Sequence, residues 1–456
     1  MSENDYVMFL PDWDVSPEDL TYPQYLSLAA LLERDIRSGV LKAGTRLPSQ
    51  RLMAFYMNVN FTTVTRAYNL CREKGLIYGE TGRGTFVSPL SRYTAPEKPV
   101  IELGVVHGFP DKTFWIVEAM REVMAKSYCK DLFSYTDRTG MLHQRDIGVT
   151  WLARRGVFTD VGHTTIFAGA QNAITISLLS LFGVGDVLAT DDFTYANLIG
   201  ASRLAHVRLA PVPGDAYGML PEELDKLCTK RKVKGVFLMP FCANPTTCTM
   251  DESRRDEIAA VCKKHQLIVI EDDAAVTPNY RTLFSRLPEQ TIYISAVTRY
   301  IIPGLRVTIG CYPEAYKSRL MDGLYTTSIK ASTLDAEILT HLMQSGGADY
   351  ILRAKLCDAG LANKVYNRIF PEDTQPANIN PFFRVHELKQ IGNGPALEEC
   401  ILSRGVRVCH SYRFAVDNTP KRAFLRISVS SVKDFKKLEE GLRIVKDLLD
   451  DRGLDG

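Results

Sequence analysis

The stretch YISAVTRYIIPGLRVTIG, residues 293–310, contains two apolar runs of strand-like length on either side of a polar turn that ends in Pro303-Gly304. Proline and glycine interrupt regular structure, so the two runs are predicted to be separate buried segments. The turn carries Arg299, and Arg306 follows the Pro-Gly pair. A guanidinium stays protonated at any accessible pH, so Arg299 cannot act as an amine nucleophile.

Outward from this stretch, short apolar runs alternate with helical patterns through most of the chain. Such alternation predicts crossover units and a mostly parallel sheet, with functional groups at the carboxyl ends of its strands. The apolar runs that we expect to form strands are residues 165–168, 187–190, 233–239, 267–271 and 292–297.

The composition indicates a globular protein of two or three domains, since the chain has 456 residues of which 45% are apolar. No apolar run approaches the ~20 residues that span a bilayer, and the amino terminus is acidic and polar, so we expect a cytoplasmic protein without membrane contact. The ten cysteines are scattered, and the closest pair, Cys242 and Cys248, lacks paired histidines or a second cysteine pair nearby. Reduced thiols and no metal site are expected.

The formal net charge of +2 conceals an asymmetry along the chain. Residues 1–20 carry six acids and no Lys or Arg, whereas residues 21–90 carry nine bases and four acids. The basic excess therefore lies in a small amino-terminal module that could approach an anionic polymer.

That module has the pattern of three helices followed by a hairpin. The first helix should end at Ser38-Gly39, the second fits residues 49–57 with Ser49 as its N-cap, and the third starts near Asn60. Two short strands should follow, around the glycine-rich tip of residues 79–84. The apolar positions are Leu28, Leu31, Leu32 and Ile36 in the first helix and Val64, Ala67, Tyr68 and Cys71 in the third.

This order is typical of a winged helix-turn-helix, whose third helix enters the major groove of DNA. Three motifs, GTRLPSQR (44–51), TTVTRAY (62–68) and GRGTFV (82–87), resemble in order and spacing the DNA-binding domain of GntR-type regulators. Phe61 departs from that pattern, since many members carry a base-reading arginine there. A lone Gly-Arg-Gly would only close a hairpin. The resemblance implies phosphate contacts from Arg46 and Arg51, groove positions for Thr62, Thr63, Thr65 and Arg66, and a wing position for Arg83.

Motifs at the predicted strand ends of the larger region resemble those of fold-type I pyridoxal-phosphate proteins such as the aminotransferases. They are GAQNA (169–173), DFTY (192–195), FCANPT (241–246), EDD (271–273), the TRYIIPGLR stretch (298–306) and FLRISV (424–429). Taken singly, each has a plainer interpretation: a common helix start, a core tyrosine, carboxylates that cap the next helix, or an arginine on a surface strand.

The resemblance implies roles for particular residues of an effector domain. Arg299 stands where the family carries the lysine that forms the internal Schiff base, Thr247 replaces a glycine, and Ala274 stands where the regulator branch has a tyrosine. The implied contacts are phosphate for Gly169, Ala170, Gln171 and Arg306, ring stacking for Tyr195, the phenolic oxygen for Asn244, the pyridine nitrogen for Asp272, and an effector carboxylate for Arg426.

The predicted fold class is therefore multidomain: an N-terminal winged helix-turn-helix plus an α/β fold-type I aminotransferase-like domain with a small α+β C-terminal subdomain. The predicted segments are an acidic tail (1–20), the winged helix-turn-helix (21–88), a Pro-containing linker (89–100), the large domain (101–345) and the small domain (346–456).

This combination resembles the MocR subgroup of GntR-type transcriptional regulators. The resemblance implies a homodimer that binds double-stranded operator DNA and senses pyridoxal 5'-phosphate, an amino acid or an amine. Because Arg299 replaces the lysine, the cofactor would be held without a covalent bond. Two alternatives remain: the aminotransferase-like domain is only a dimerisation scaffold, or the chain is an active aminotransferase, which Arg299 argues against.

Overall fold

The computed structural model of the chain describes residue 13 and residues 15–80, 82–88, 100–109, 113–273, 281–295, 298–373, 382–417 and 422–454, without the side chains of residues 113, 298 and 299. The chain divides into two compact units, Met1–Pro99 and Val100–Gly456. Among the described residues, no helix combines the length and apolarity that a membrane crossing needs.

The first unit consists of helices α1 (Gln24–Ser38), α2 (Gln50–Tyr56) and α3 (Phe61–Glu73) and strands β1 (Arg46–Leu47), β2 (Ile77–Glu80) and β3 (Gly84–Val87). Gly39 ends α1 in the left-handed conformation at φ +82°, and side-chain oxygens of Ser49 and Asn60 cap α2 and α3. The predicted helices and hairpin are confirmed. The hairpin gains β1 as a third antiparallel strand, in the order β1-β3-β2.

The core of this unit forms on the helical faces that the sequence pattern predicts. Val64, Ala67, Tyr68 and Cys71 of α3 are fully buried, and the Tyr68 hydroxyl donates a 2.9 Å hydrogen bond to the carbonyl of Pro48. The loop before α2 is therefore tied to α3.

Packing of the first unit begins before residue 21, where the sequence pattern predicts only an acidic tail. Trp13 and Val15 belong to the same buried cluster as α1 and α3. The indole Nε1 of Trp13 donates a 2.7 Å hydrogen bond to Asp35 of α1. Trp13 and Val15 lie among the acidic residues of this segment, and burial of their apolar side chains favours packing against the unit over an extended tail.

In the described part of the second unit there are thirteen α-helices and fourteen strands. The helices are α4 (Thr113–Met124), α5 (Leu142–Ala153), α6 (Ala170–Leu181), α7 (Ala196–Leu204), α8 (Pro221–Lys230), α9 (Glu252–Lys264), α10 (Leu283–Arg286), α11 (Thr298–Ile301), α12 (Glu314–Thr327), α13 (Thr333–Ser345), α14 (Gly347–Ile369), α15 (Gly394–Ser403) and α16 (Phe435–Asp451).

The strands are β4 (Ile101–Glu102), β5 (Thr164–Phe167), β6 (Val187–Asp191), β7 (Arg208–Val212), β8 (Gly214–Asp215), β9 (Gly218–Met219), β10 (Gly235–Leu238), β11 (Ile268–Asp273), β12 (Thr291–Ser295), β13 (Thr308–Cys311), β14 (Phe383–Leu388), β15 (Val406–Arg407), β16 (Cys409–His410) and β17 (Ala423–Ser428).

A seven-stranded sheet in the order β5-β13-β12-β11-β10-β6-β7 forms the centre of the second unit. Its strands pair in parallel except β13, which runs antiparallel to both of its neighbours. All five predicted strands are present in this sheet. Apolar clusters cover both of its faces, as expected for a parallel sheet with crossover helices.

A second, antiparallel sheet in the order β14-β17-β16 forms the carboxyl-terminal part. Helices α14 and α16 pack with this region in one buried cluster. The predicted boundary between large and small domains falls at Gly346, which ends α13 at φ +80°. The register pairs Val385 with Arg426, which places Arg426 in the middle of the central strand of this sheet.

Candidate functional site

The recognition helix α3 presents its polar face away from the core, as predicted. Phe61, Thr62 and Arg66 are exposed, whereas Thr63 and Thr65 are half-buried. The Thr65 hydroxyl donates a 2.8 Å hydrogen bond to Oε1 of Gln50 in α2. Thr65 therefore also fixes the angle between the two helices, a role that its position in the motif did not reveal.

Four arginines of the same unit are exposed beside this helix and on the wing: Arg46, Arg51, Arg66 and Arg83. Arg46 lies against the wing, since a Cβ at Gly84 would be 3.0 Å from its Nε. Arg83 forms a 2.8 Å ion pair with Glu80 on the same hairpin. These guanidinium groups suit contacts with phosphate, and the exposed start of α3 suits contacts with base edges.

In the second unit, the structure brings together Gly169 and Arg306, two residues that are predicted to bind a phosphate. Gly169 precedes α6 with φ +89° and ψ 163°, a conformation that is essentially restricted to glycine. A Cβ at Gly169 would lie 3.0 Å from Nη2 of Arg306. The first amides of α6, which have no partner within the helix itself, and the adjacent guanidinium therefore form a cradle for an anion.

Asp272 lies near the end of β11 and is 2% exposed. Successive side chains of a strand alternate between faces, so Asp272 lies on the same face as Ile270 and opposite Glu271 and Asp273. Ile270 packs in one cluster with Ala173 of α6. Asp272 therefore lies on the sheet face that is covered by the helix whose start forms the cradle.

The other two carboxylates of this motif have structural partners. Glu271 accepts hydrogen bonds of 2.9 and 2.8 Å from the amides of Leu283 and Phe284, so it caps α10. Burial, reinforced by the charge of Asp273, raises the pKa of Glu271 to about 8. The Tyr293 hydroxyl donates a 2.7 Å hydrogen bond to Asp273. The helix-capping interpretation thus holds for Glu271.

Tyr195 and Gln171 lie at the starts of neighbouring helices. Half-buried Tyr195 precedes α7, and its hydroxyl accepts a 3.0 Å hydrogen bond from Asn197. Gln171 and Ala170 open α6, and the Gln171 amide contacts the carbonyl of Asn197 at 3.4 Å. The starts of α6 and α7 are therefore linked at the carboxyl edge of the sheet.

Arg426 contacts Asn244 directly, which joins two residues whose roles were predicted separately. Its Nη1 donates a 2.9 Å hydrogen bond to Oδ1 of Asn244, and its Nη2 donates to the carbonyl of Gly104 and to Sγ of Cys409. Arg426 is 7% exposed, and its guanidinium lies 4.8 Å from the centroid of the Phe414 ring. The alternative of a surface arginine is therefore wrong.

The turn after Asn244 retains the geometry expected for a glycine. Thr247 adopts φ +61°, and its amide donates a 2.6 Å hydrogen bond to the carbonyl of Ala243. The replacement of glycine by threonine thus places a β-branched residue in the left-handed region without removing the turn.

Arg299 belongs to the short helix α11, and its side chain lies outside the described part of the structure, as does Ala274 as a whole. The helix is held on both sides. Tyr300 stacks on Phe382 with ring centroids 4.2 Å apart, and buried Lys355 of α14 donates a 3.0 Å hydrogen bond to the carbonyl of Ile301. In the sequence, the signal for this contact is that Lys355 stands where the helical pattern expects an apolar residue.

The described residues fit two parts of pyridoxal phosphate, its phosphate and its pyridine nitrogen. The cradle of Gly169 and Arg306 matches a phosphate, and buried Asp272 on the same side of the sheet matches a protonated pyridine nitrogen. Asn244, which lies next to Arg426, is compatible with a contact to the phenolic oxygen of the cofactor.

Two family models match the chain over separate regions. Residues 24–87 match "Bacterial regulatory proteins, gntR family", and residues 109–443 match "Aminotransferase class I and II". The first region is the winged helix-turn-helix, and the second contains every residue of the candidate cofactor site. The fold class expected from the sequence is confirmed.

Two relatives align with most of the chain. The chain is 33% identical over 463 residues to the HTH-type transcriptional regulator YdeF of Bacillus subtilis, covering 99% of this chain and 100% of the relative. It is 27% identical over 365 residues to YdfD of the same organism, covering 71% of this chain and 75% of the relative.

Among solved structures, an archaeal alanine:glyoxylate aminotransferase matches with a TM-score of 0.73 at 19% identity, covering 79% of this chain and 93% of that one. At this identity the likeness establishes the fold alone. Together with the two family models and the relatives, it shows that the chain is a DNA-binding regulator of the family of HTH-type transcriptional regulators in which a GntR domain is fused to an aminotransferase class I and II domain, the MocR-like architecture.

Proposed function

We propose that the aminotransferase-like domain of this regulator senses pyridoxal phosphate, an amino acid or an amine, without a covalent bond between cofactor and chain. The observation that carries the proposal is the cradle of Gly169 and Arg306. Within the described residues, no hydrogen bond or ion pair engages the Arg306 guanidinium, and it is exposed. It is therefore available to an anionic ligand.

Arg426 supports an amino-acid effector in particular. A guanidinium presents paired donors that match a carboxylate, and its burial between aromatic rings strengthens such a pair. In the present conformation Nη1 is satisfied by Asn244. A carboxylate ligand would compete with that amide, so effector binding would be coupled to the position of the Asn244 turn.

The absence of catalysis follows, in this proposal, from the residue at position 299. Pyridoxal phosphate, when bound, supplies an aldehyde that condenses with amines. A guanidinium at 299 cannot provide the amine that ties the cofactor to the chain or the base that transfers a proton between carbons. Two alternatives differ from this proposal. In the first, the domain serves only for dimerisation and binds no ligand. In the second, the chain is an active aminotransferase, which requires a lysine for catalysis.

A homodimer completes the proposal, and the exposed apolar surface of α4 supports it. Phe114, Trp115, Met120 and Met124 are between 40% and 68% exposed on this helix. Apolar patches of this kind mark protein interfaces. Two winged helices per dimer would require an operator with two half-sites, whose spacing need not be one helical turn. The proposal includes a cytoplasmic location, because a regulator of this kind acts where its operator DNA lies.

Light scattering tests the dimer. The wild-type chain should be a dimer at micromolar concentration, and Phe114→Asp should favour the monomer because it buries a charge in the interface. Phe55→Asp, at an exposed position of the first unit, is the matched control. A monomeric wild type would contradict this part of the proposal.

Borohydride reduction in the presence of pyridoxal phosphate, followed by mass spectrometry, tests the cofactor site. The wild type should bind the cofactor reversibly with no adduct, and Arg299→Lys should yield an adduct at position 299. Arg319→Lys, at an exposed position of α12, should yield none. Fluorescence anisotropy with operator DNA, with and without cofactor and amino acids, then measures the regulatory effect.

The alternatives give different results in the same assays. No cofactor binding by the wild type and no adduct in Arg299→Lys would favour the scaffold interpretation. Transamination by the wild type would favour the enzyme. Either result would overturn the sensor proposal.

A further inference from the structure

A cleft of about 650 Å³ opens between the large and small parts of the second unit, and the proposed cofactor chemistry does not use it. On one side lie the loops that follow β6, β7 and β10, and on the other lie β14 and the segment after α14. Its volume is in the range of sites for small molecules. Neither the cradle residues Gly169 and Arg306 nor the pair Asn244 and Arg426 line it.

The described lining is strongly acidic on both sides. A single basic side chain, Arg422, lies among the lining residues that the structure describes. Six carboxylates line the same space: Asp191, Asp192 and Asp215 from the large part and Glu372, Asp373 and Glu387 from the small part.

Among the described residues, Lys or Arg side chains form ion pairs with three of these carboxylates. Arg254 pairs with Asp215 at 2.8 Å, whereas Arg422 is 3.5 Å from Glu387 and Lys446 is 3.6 Å from Glu372. For Asp191, the described residues provide no Lys or Arg within ion-pair distance.

Burial and the adjacent charge of Asp192 raise the pKa of Asp191 to about 7. Asp191 is therefore only partly ionised at neutral pH, and a bound cation would favour its ionised form by relieving the repulsion from Asp192.

The arrangement distinguishes between kinds of cation. Among the described residues, no three Asp, Glu, His or Cys side chains converge as the ligands of a metal ion do. The carboxylates instead come from both the large and the small part, and apolar residues such as Met239, Met250 and Val385 line the same cleft. Carboxylates on separate parts of the chain, together with an apolar lining, match an organic cation with ammonium groups joined by methylenes.

We propose that this inter-domain cleft binds an aliphatic di- or polyamine, with its ammonium groups shared between Asp191 and Asp192 on one wall and Glu387 on the other. The site is a second ligand site of the regulator. It does not rest on the cofactor proposal, because no residue of the cofactor site lines the cleft. A ligand that bridges both walls would hold the two parts of the unit together.

Isothermal titration calorimetry of the full chain with spermidine, without pyridoxal phosphate and at constant ionic strength, tests the proposal. We expect saturable binding of one spermidine per chain. The double variant Asp191→Asn/Glu387→Gln should weaken binding at least tenfold. The control Asp322→Asn/Glu289→Gln makes the same charge change at exposed positions outside the lining and should bind as the wild type does.

A second variant is expected to strengthen spermidine binding, which a misfolded protein would not do. Arg422→Gln removes the cation that competes for Glu387 and should strengthen spermidine binding at least threefold. No saturable binding by the wild type, equal binding by the cleft double variant, or unchanged or weaker binding by Arg422→Gln would overturn the proposal. Magnesium chloride that binds with the same affinity and loses it in the same double variant would also overturn it, in favour of an inorganic cation site.

Discussion

The two candidate anion-binding surfaces of this regulator are assembled in different ways. The DNA-binding surface takes all its predicted residues from one short stretch, 46–83, within a small unit that has its own core. The candidate ligand site joins residues that are far apart in the chain, such as Asn244 and Arg426, which lie 182 positions apart. The first surface should therefore respond to local changes, and the second to changes anywhere in the fold that holds distant strands together.

The largest expected effect comes from Tyr68→Ala, which tests whether the two units fold independently. Removing this fully buried ring and its hydrogen bond to Pro48 should cost about 3–5 kcal/mol of the free energy of unfolding of the first unit. Calorimetry should show that its transition moves to lower temperature while that of the second unit is unchanged. Phe55→Ala, at a 72% exposed ring, is the control. If both transitions shift together, the contrast between a local and a distributed surface fails.

Arg426→Ala should have the next largest effect, and on the second unit alone. The substitution leaves the buried acceptors of Asn244 and Gly104 without a charged donor, which should cost about 2–4 kcal/mol of unfolding free energy. Denaturant unfolding measures this loss. Arg443→Ala removes an exposed arginine paired with Glu439 and should change stability by less than about 0.5 kcal/mol. Equal effects of the two substitutions would contradict a site built by long-range contacts.

Gly169→Ala should weaken the cradle through the backbone. The native φ and ψ are essentially restricted to glycine, so alanine should cost about 1–3 kcal/mol and press its Cβ against Arg306. We expect weaker binding of pyridoxal phosphate, measured by its absorption, with unchanged DNA affinity in the absence of ligand. Gly200→Ala is the control, since a Cβ there meets nothing within 4 Å. Normal cofactor affinity in Gly169→Ala would remove the cradle from the site.

Glu80→Gln should have the smallest effect and should strengthen DNA binding. Glu80 pairs with Arg83 at the wing, and an exposed pair of this kind is worth less than about 1 kcal/mol. Its removal frees Arg83 for phosphate and removes a negative charge near DNA. Fluorescence anisotropy at several salt concentrations should show slightly tighter binding. Glu118→Gln, which breaks the comparable pair with Arg121 in the second unit, should leave DNA affinity unchanged.

The sequence predicted some parts of the site better than others, for reasons that particular residues make clear. Gly169 and Arg306 were assigned to one phosphate from motifs, and their contact agrees with that assignment. Thr65, in contrast, was assigned to the groove, yet its hydroxyl contacts Gln50. The role of Lys355 under α11 was missed, because a helical pattern does not specify which backbone carbonyl a buried lysine will contact.

The amino-acid sequence by itself determined the order of domains, the buried faces of α1 and α3 and the strands of the central sheet. These depend on apolar periodicity and turn residues, which act over a few positions. Only the tertiary structure decided that Glu271 caps α10, that Trp13 belongs to the first core, and that carboxylates from two parts of the chain line one cleft. Pairing between distant strands sets these relations, and local patterns do not encode which distant partner a side chain will meet.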